Sequence, residues 1–257
     1  MTQHLPLGDL LRGWRKQRRV SQMDLALDVS VSPRHLSFVE TGRSRPSRGL
    51  VLRMAEKLKM PPRARNALLV SVGYAPAFPE RPIDDPALGP ALAAIERLLA
   101  SFHPFPALAI DRHWNLLRNN AALGPLIEGV APWLMAAPVN VLRLGLHPEG
   151  LAPRIFNLGE WKAHICHRLE MQIDATGDIA LTPLLAELRG YPAGHVPERR
   201  PDAIAVPLVI DVGGRRMSFL SMTMVFGTPI DVTLAEVAIE TLVPADAETS
   251  ALLLQGG

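Results

Sequence analysis

The chain has 257 residues, a formal net charge of +2, 48% hydrophobic and 20% charged residues, and one cysteine. A disordered tail has fewer apolar residues and more net charge, a disulfide-stapled secreted domain needs several cysteines, and a membrane span needs about 18 consecutive apolar residues. Every apolar run here is cut by proline, glycine or charge, and Met1 to Gly13 lack the basic cap and apolar run of a signal peptide. The expectation is a cytoplasmic protein of one or two domains with no membrane partner.

The average charge hides a division. Residues 1–70 hold 14 Lys+Arg and 5 Asp+Glu, net +9, and the other 187 residues hold 13 and 20, net −7. Such asymmetry is a nucleic-acid signal, set against the blander reading of an incidentally basic solvated face.

In chain order, Leu7, Leu10, Leu11 and Trp14 fall at i, i+3, i+4, i+7 and predict a first helix. Ser21 is the expected N-cap of a second, SQMDLALDV, with Leu25, Ala26 and Val29 inward. Ser32 caps a third, SPRHLSFVE, whose Pro33 takes the first position, where a missing N–H does no harm. Leu36 and Val39 form its buried face, and Gly42 stops it. A fourth helix starts near Ser47, and a fifth follows Pro61-Pro62. The short connection around Ser30-Val31 gives the second and third helices helix-turn-helix spacing, in which the later helix enters the major groove.

The text SQMDLALDVSVSPRHLSFVETGRSRPS resembles the Xre-type helix-turn-helix of lambdoid phage repressors. The shared features are the Ser-Gln opening, Leu25-Ala26, a small residue in the turn, Glu40 and Gly42, and the arginine-rich GRSRPS loop. The resemblance covers about residues 5–73 and implies a double-stranded DNA operator as partner. It places Gln22 near a phosphate at a helix N-terminus, with the caps Ser21 and Ser32 in the contact set. Pro33, Arg34, His35 and Phe38 take the solvent-facing positions of the recognition helix. Arg34 is the leading base reader, since arginine grips guanine O6 and N7 together. Phe38 either packs on a thymine methyl or completes the core. Arg43, Arg45 and Ser47 are the expected phosphate contacts.

Residues 73–90 carry five prolines and do not continue a helix. The expected division is therefore 1–73, a linker at 74–88, and a second domain over 89–257. There Leu92, Ile95, Leu98, Leu99 and Phe102 predict a helix, 106–110 and 114–118 a pair of strands, and Asn119 or Asn120 a cap for a helix from Ala121. Apolar helical stretches follow at 121–127, 138–146 and 151–175, then 178–189 with Asp178 as cap. Ala205–Val212 and Arg216–Phe226 flank Gly213-Gly214, a hairpin signal. Leu234–Val243 reads as a further strand and Asp246 as the cap of a last helix. Met217–Val225 is apolar on both faces, which suits a sheet covered by helices on one side and by core, a partner or a ligand on the other.

PALAIDRHWNLLRNNAA, NVLRLGLHPEGL and FGTPIDVTLAEVAIETLVPADAET resemble the MmyB-like ligand-binding domain attached to Xre-type regulators, over about 105–254. The fold class implied is an all-α lambda-repressor-like helix-turn-helix domain followed by an α+β PAS-like domain with a small antiparallel sheet. The resemblance implies a bacterial homodimer with a pocket, and some members accommodate a fatty-acid-like molecule.

Arg143 and His147 stand i, i+4 amid Val141, Leu142, Leu144 and Leu146. An arginine reaching an apolar cavity matches an acidic head group; the alternative is an ion pair with a structural acid such as Glu149 or Glu170. Trp114, Asn120, Trp133, Phe156 and Trp161 are candidate pocket walls. His164, Cys166 and His167 form H-x-C-H, in which only the two histidines share a helical face, so no metal or other cofactor is expected. No G-x-S-x-G and no P-loop is present, and an enzyme is not expected. The competing view of the second domain is a dimerisation or protein-interaction module without a metabolite.

Overall fold

The computed structural model describes residues 6–193 and 204–255. The chain divides into two compact units, the first made of the residues up to Arg81 together with Gln172–Asp178 and Ile230–Val232, the second of the rest.

The first unit is helical: α1 (Leu7–Gln17), α2 (Gln22–Asp28), α3 (Pro33–Glu40), α4 (Arg48–Lys57) and α5 (Pro62–Ser71). Leu7, Leu11 and Trp14 are the buried stripe of α1, packed with Leu25, Leu36, Val51, Met54 and Leu69. Three serines cap three helices: Ser21 accepts the N–H of Asp24, Ser32 that of His35 and Ser47 that of Leu50. Each such cap contributes about 1 kcal/mol. Helices α1 and α3 approach so closely that a Cβ on Gly8 would lie 2.0 Å from the Glu40 carbonyl oxygen, so only glycine fits there.

The first part of the proline-rich stretch is folded onto this unit. Asn66 Oδ1 accepts from the N–H groups of Ala77 and Phe78, and its Nδ2 donates to the Phe78 carbonyl. Tyr74 and Ala77 pack on the helical core.

The second unit begins with α6 (Gly89–Ser101), then β1 (Ala107–Ile110), β2 (Leu116–Asn119), α7 (Gly124–Ile127), α8 (Val141–Leu146), α9 (Leu158–Thr176) and α10 (Thr182–Gly190). It continues with β3 (Leu208–Val212), β4 (Arg215–Val225), α11 (Val232–Ala235), β5 (Ala238–Pro244) and α12 (Ala247–Gln255). Among the described residues five strands form one antiparallel sheet in the order β2-β1-β5-β4-β3. The β3–β4 hairpin turns at Gly213 and Gly214, whose φ values of +60° and +78° suit glycine in a primed turn. Asp246 Oδ1 accepts the Thr249 N–H and starts α12.

Ala107, Ala109 and Ile239 turn one face of the sheet to Ile95 and Leu99 of α6. Leu108, Ser221, Glu240 and Leu242 lie on the opposite face. On β4, Met217 and Phe219 are buried while Met222 is 55% and Val225 67% exposed, so the strand is covered at its start and open toward its end.

Five sequence expectations need correction. The stretch 151–175 is continuous helix only from Leu158, after a 3-10 turn at Ala152–Arg154 and a bridge from Ile155 to Ile210. The strand expected over 234–243 begins only at Ala238, where pairing to Ile110 and Val225 becomes available, and 232–235 is a helical turn. Asn120 does not cap a helix; the chain forms a 3-10 turn at Ala121–Leu123 and the short α7. The stretch 138–146 is helical only from Val141, where Asn140 accepts the Arg143 N–H as cap. The segment after Asp178 opens as a 3-10 turn, Ile179–Leu181, before α10.

Candidate nucleic-acid interface and ligand cavity

In the first unit the turn between α2 and α3 is made by Ser30 at φ +57°, with the Val31 N–H donating to the Ala26 carbonyl at 2.9 Å. Helix α3 buries Leu36, Val39 and Glu40 and leaves Pro33 and Arg34 exposed. Phe38 is half-buried, and the Arg34 guanidinium lies 5.4 Å from its ring centre. The ring thus carries the arginine on its outer side, a cation–π arrangement that limits where Arg34 can reach. His35 is half-buried, with its N–H on Ser32.

Glu40 fixes the rear of this surface. It is 4% exposed and takes Arg15 through both oxygens, at 2.8 and 3.2 Å. The Arg15 pKa is raised, first by that hydrogen bond. Gln22 donates its side-chain amide to Glu40 at 2.9 Å. The Gln22 side-chain NH2, an expected phosphate contact, thus has one N–H on a buried carboxylate. Arg45 is likewise engaged, donating to the Val72 carbonyl at 2.6 Å and lying 5.1 Å over the Tyr74 ring. It braces the loop after α3 against the end of α5. Arg43 is exposed in that loop, and the hydroxyls of Ser21, Ser32 and Ser47 serve as caps.

In the second unit a cavity of about 120 Å³ lies between the sheet and helices α7, α8 and α9. Its walls are almost wholly leucine, isoleucine, valine, methionine and tryptophan. Trp114 and Trp161 line it. Trp114 sits at φ +67°, a costly conformation for a non-glycine residue that is held by the turn around it. Asp111 Oδ1 accepts the N–H groups of His113 and Asn115, both at 2.8 Å.

The other expected wall residues lie elsewhere. Arg143 points away from the cavity, because Leu142, Leu144 and Leu146 take the inward positions of α8. It forms a bidentate pair with Glu187 of α10, both bonds 2.7 Å. The Glu187 carboxyl is held down at about 2, chiefly by the Arg143 hydrogen bond, and Tyr191, which donates to it, is pushed up to about 12, first by burial. His147 stacks edge-on between Trp133 and Tyr191, at 4.8 and 5.0 Å, and its Nδ1 accepts the Glu149 N–H. Trp133 is exposed and donates to Glu149. Phe156 is exposed beneath Arg216. Asn120 is a structural latch: its side chain accepts from Ala107 N–H and donates to the Leu99 and Phe105 carbonyls.

The cavity does receive an arginine, but a different one. Arg168 of α9 reaches its wall, 4.8 Å over the Trp114 ring, and pairs with the buried Glu240 of β5. The sequence held a signal for it, since Trp161, Ile165 and Arg168 share a helical face at i, i+4, i+7. Glu240, a lone acid inside an apolar strand, was the other signal.

His164 lies against Trp161 and His167 is exposed beside Glu170. Cys166 is buried, and burial pushes its thiol pKa up, away from the reactive thiolate. Among the described residues no cluster of three or more His, Cys, Asp or Glu could hold a metal ion, and no helix is long and apolar enough to cross a membrane.

Residues 6–68 match the family model described as a helix-turn-helix domain. Residues 92–255 match the model for the MmyB-like transcription regulator ligand binding domain. The chain belongs to the MmyB-like transcription regulators. It carries the DNA-binding module and the ligand-binding module of such a regulator in the order the sequence suggested. The crystal structure of the clp gene regulator ClgR from Corynebacterium glutamicum is 28% identical, with 38% of this chain and 90% of that chain covered and a TM-score of 0.23. No curated protein matches this MmyB-like regulator.

Proposed function

We propose that this regulator reads an operator through α3 as a homodimer on a two-fold symmetric site, and that occupancy of the cavity by a small apolar molecule sets its affinity for DNA. The observation that carries the reading is the apolar cavity in the ligand-binding domain of a chain whose other domain exposes Arg34 on the second helix of a helix-turn-helix pair. Arg34 is the base reader, Arg43 a phosphate contact, and Pro33, His35 and Phe38 shape the surface between them. Trp114 and Trp161 replace Arg143 and His147 as the ligand-contact residues. A ligand acts only through different affinities for the DNA-competent and incompetent states.

Binding of selected operator and random duplexes by fluorescence anisotropy tests the DNA half. Arg34→Ala should lose roughly tenfold or more on operator and little on random DNA, in line with about 1–3 kcal/mol for a bidentate base contact. Equal losses on both would remove Arg34 from base reading. Native mass spectrometry tests the sensing half: a co-purifying small molecule supports it. A protein that neither carries nor binds any apolar compound favours the interaction-module reading. Analytical ultracentrifugation reads the dimer, for which the open end of β4 at Met222 and Val225 offers apolar surface.

A further inference from the structure

The polar end of the cavity is an ion pair whose carboxylate is fully partnered. Glu240 sits at the centre of the sheet, flanked by β1 and β4, and is 6% exposed. Its two oxygens receive the Ser221 hydroxyl at 2.8 Å, the Thr223 hydroxyl at 2.7 Å, Arg168 Nη1 at 3.1 Å and Arg168 Nη2. A carboxylate offers about four acceptor positions, and these four donors occupy them. Arg168 Nη2 also donates to Thr223 at 2.6 Å, and the face of the guanidinium is on Trp114. Among the described residues, the acidic and basic side chains lining this cavity are Glu240 and Arg168, paired with each other.

A ligand carboxylate entering here meets Glu240 beside Arg168, whose charge Glu240 already neutralises. It brings an unpaired negative charge into an apolar enclosure, or displaces Glu240 from its partners and leaves that acid buried and unpaired. Both are strongly unfavourable where water is scarce. An alkylammonium meets the converse problem at Arg168. An uncharged chain needs neither rearrangement and gains from burial against the leucine-rich wall.

Resting on the sensing reading above, we infer that the cavity selects an uncharged apolar molecule and that the Arg168–Glu240 pair excludes the ionised acid of the same chain length. The pair acts as a charge filter rather than as a head-group clamp.

Isothermal titration of the full-length, delipidated protein at pH 8 with decan-1-ol, methyl decanoate and sodium decanoate tests this. Decanoate is ionised at that pH. The alcohol and the ester should bind at least tenfold more tightly than decanoate. Glu240→Gln removes the competing anion while leaving Arg168 charged, and should narrow or reverse the preference; the wild-type comparison stands even if that variant fails to fold. Decanoate binding wild type as tightly as the alcohol overturns the charge filter and leaves ligand sensing intact. Binding of none of the three overturns the sensing reading and the filter with it.

Discussion

Asn120 carries three hydrogen bonds from a buried position between α6 and β1, and Arg45 carries a carbonyl and an aromatic face at the rim of the first unit. Both sets of contacts lie within the fold. Asn120→Ala orphans the Ala107 N–H and the Phe105 carbonyl and removes one of the two donors to the Leu99 carbonyl, and each buried orphan costs about 1–3 kcal/mol. The variant should lower the denaturant midpoint of the second unit, with DNA affinity at saturating folded protein unchanged. Arg45→Ala should lower the unfolding midpoint of the first unit, by about 1 kcal/mol. Arg43→Ala should leave that midpoint alone and weaken DNA binding. Thermal unfolding beside anisotropy separates the two arginines; an unchanged midpoint in Arg45→Ala would return it to the phosphate contacts. The sequence could not distinguish them, because both are exposed arginines in one loop and the partners of Arg45 are about 27 residues downstream.

At the scale of elements, the serine caps, Pro33 at the start of α3, the Gly213-Gly214 hairpin and the Asp246 cap were legible because each is a local hydrogen bond or dihedral preference. The α8–α10 clamp was not. Arg143 was visible, but its acid is 44 positions away on another helix, and Glu149 and Glu170 were the nearer candidates. The clamp has a pH signature. The Glu187 carboxyl is held at about 2 against an ordinary value of 4.5, so its contribution is present above the unfolded value and lost as pH falls through the folded one. Tyr191 is raised to about 12 from 10.0, so its contribution is full below the unfolded value and lost as pH rises through the folded one. Partial exposure of the pair keeps both effects small. Glu187→Gln should flatten the acid limb of the stability profile between about pH 4.5 and 2, read by chemical denaturation against wild type.

For the whole molecule, the net charge of +2 is the sum of a basic DNA-binding domain and an acidic ligand-binding domain. DNA affinity should therefore fall steeply with salt despite the nearly neutral chain, since the counterions displaced belong to the contact surface alone. Arg43→Ala should reduce the slope of log K against log salt by about one phosphate contact, measured between 50 and 200 mM salt. An unchanged slope would remove Arg43 from the phosphate contacts.

The sequence by itself determined the two-domain order, the helix boundaries of the first domain, the hairpin and the kind of partner. Those rest on short-range capping and periodicity, and on charge counted along the chain. Only the tertiary structure decided which arginine meets the cavity. A cavity wall is assembled from residues far apart in sequence, and Arg143 and Arg168 both sit among apolar neighbours. They differ in what the fold sets opposite them: Glu187 on a helix outside the cavity for one, Glu240 in the central strand at its polar end for the other.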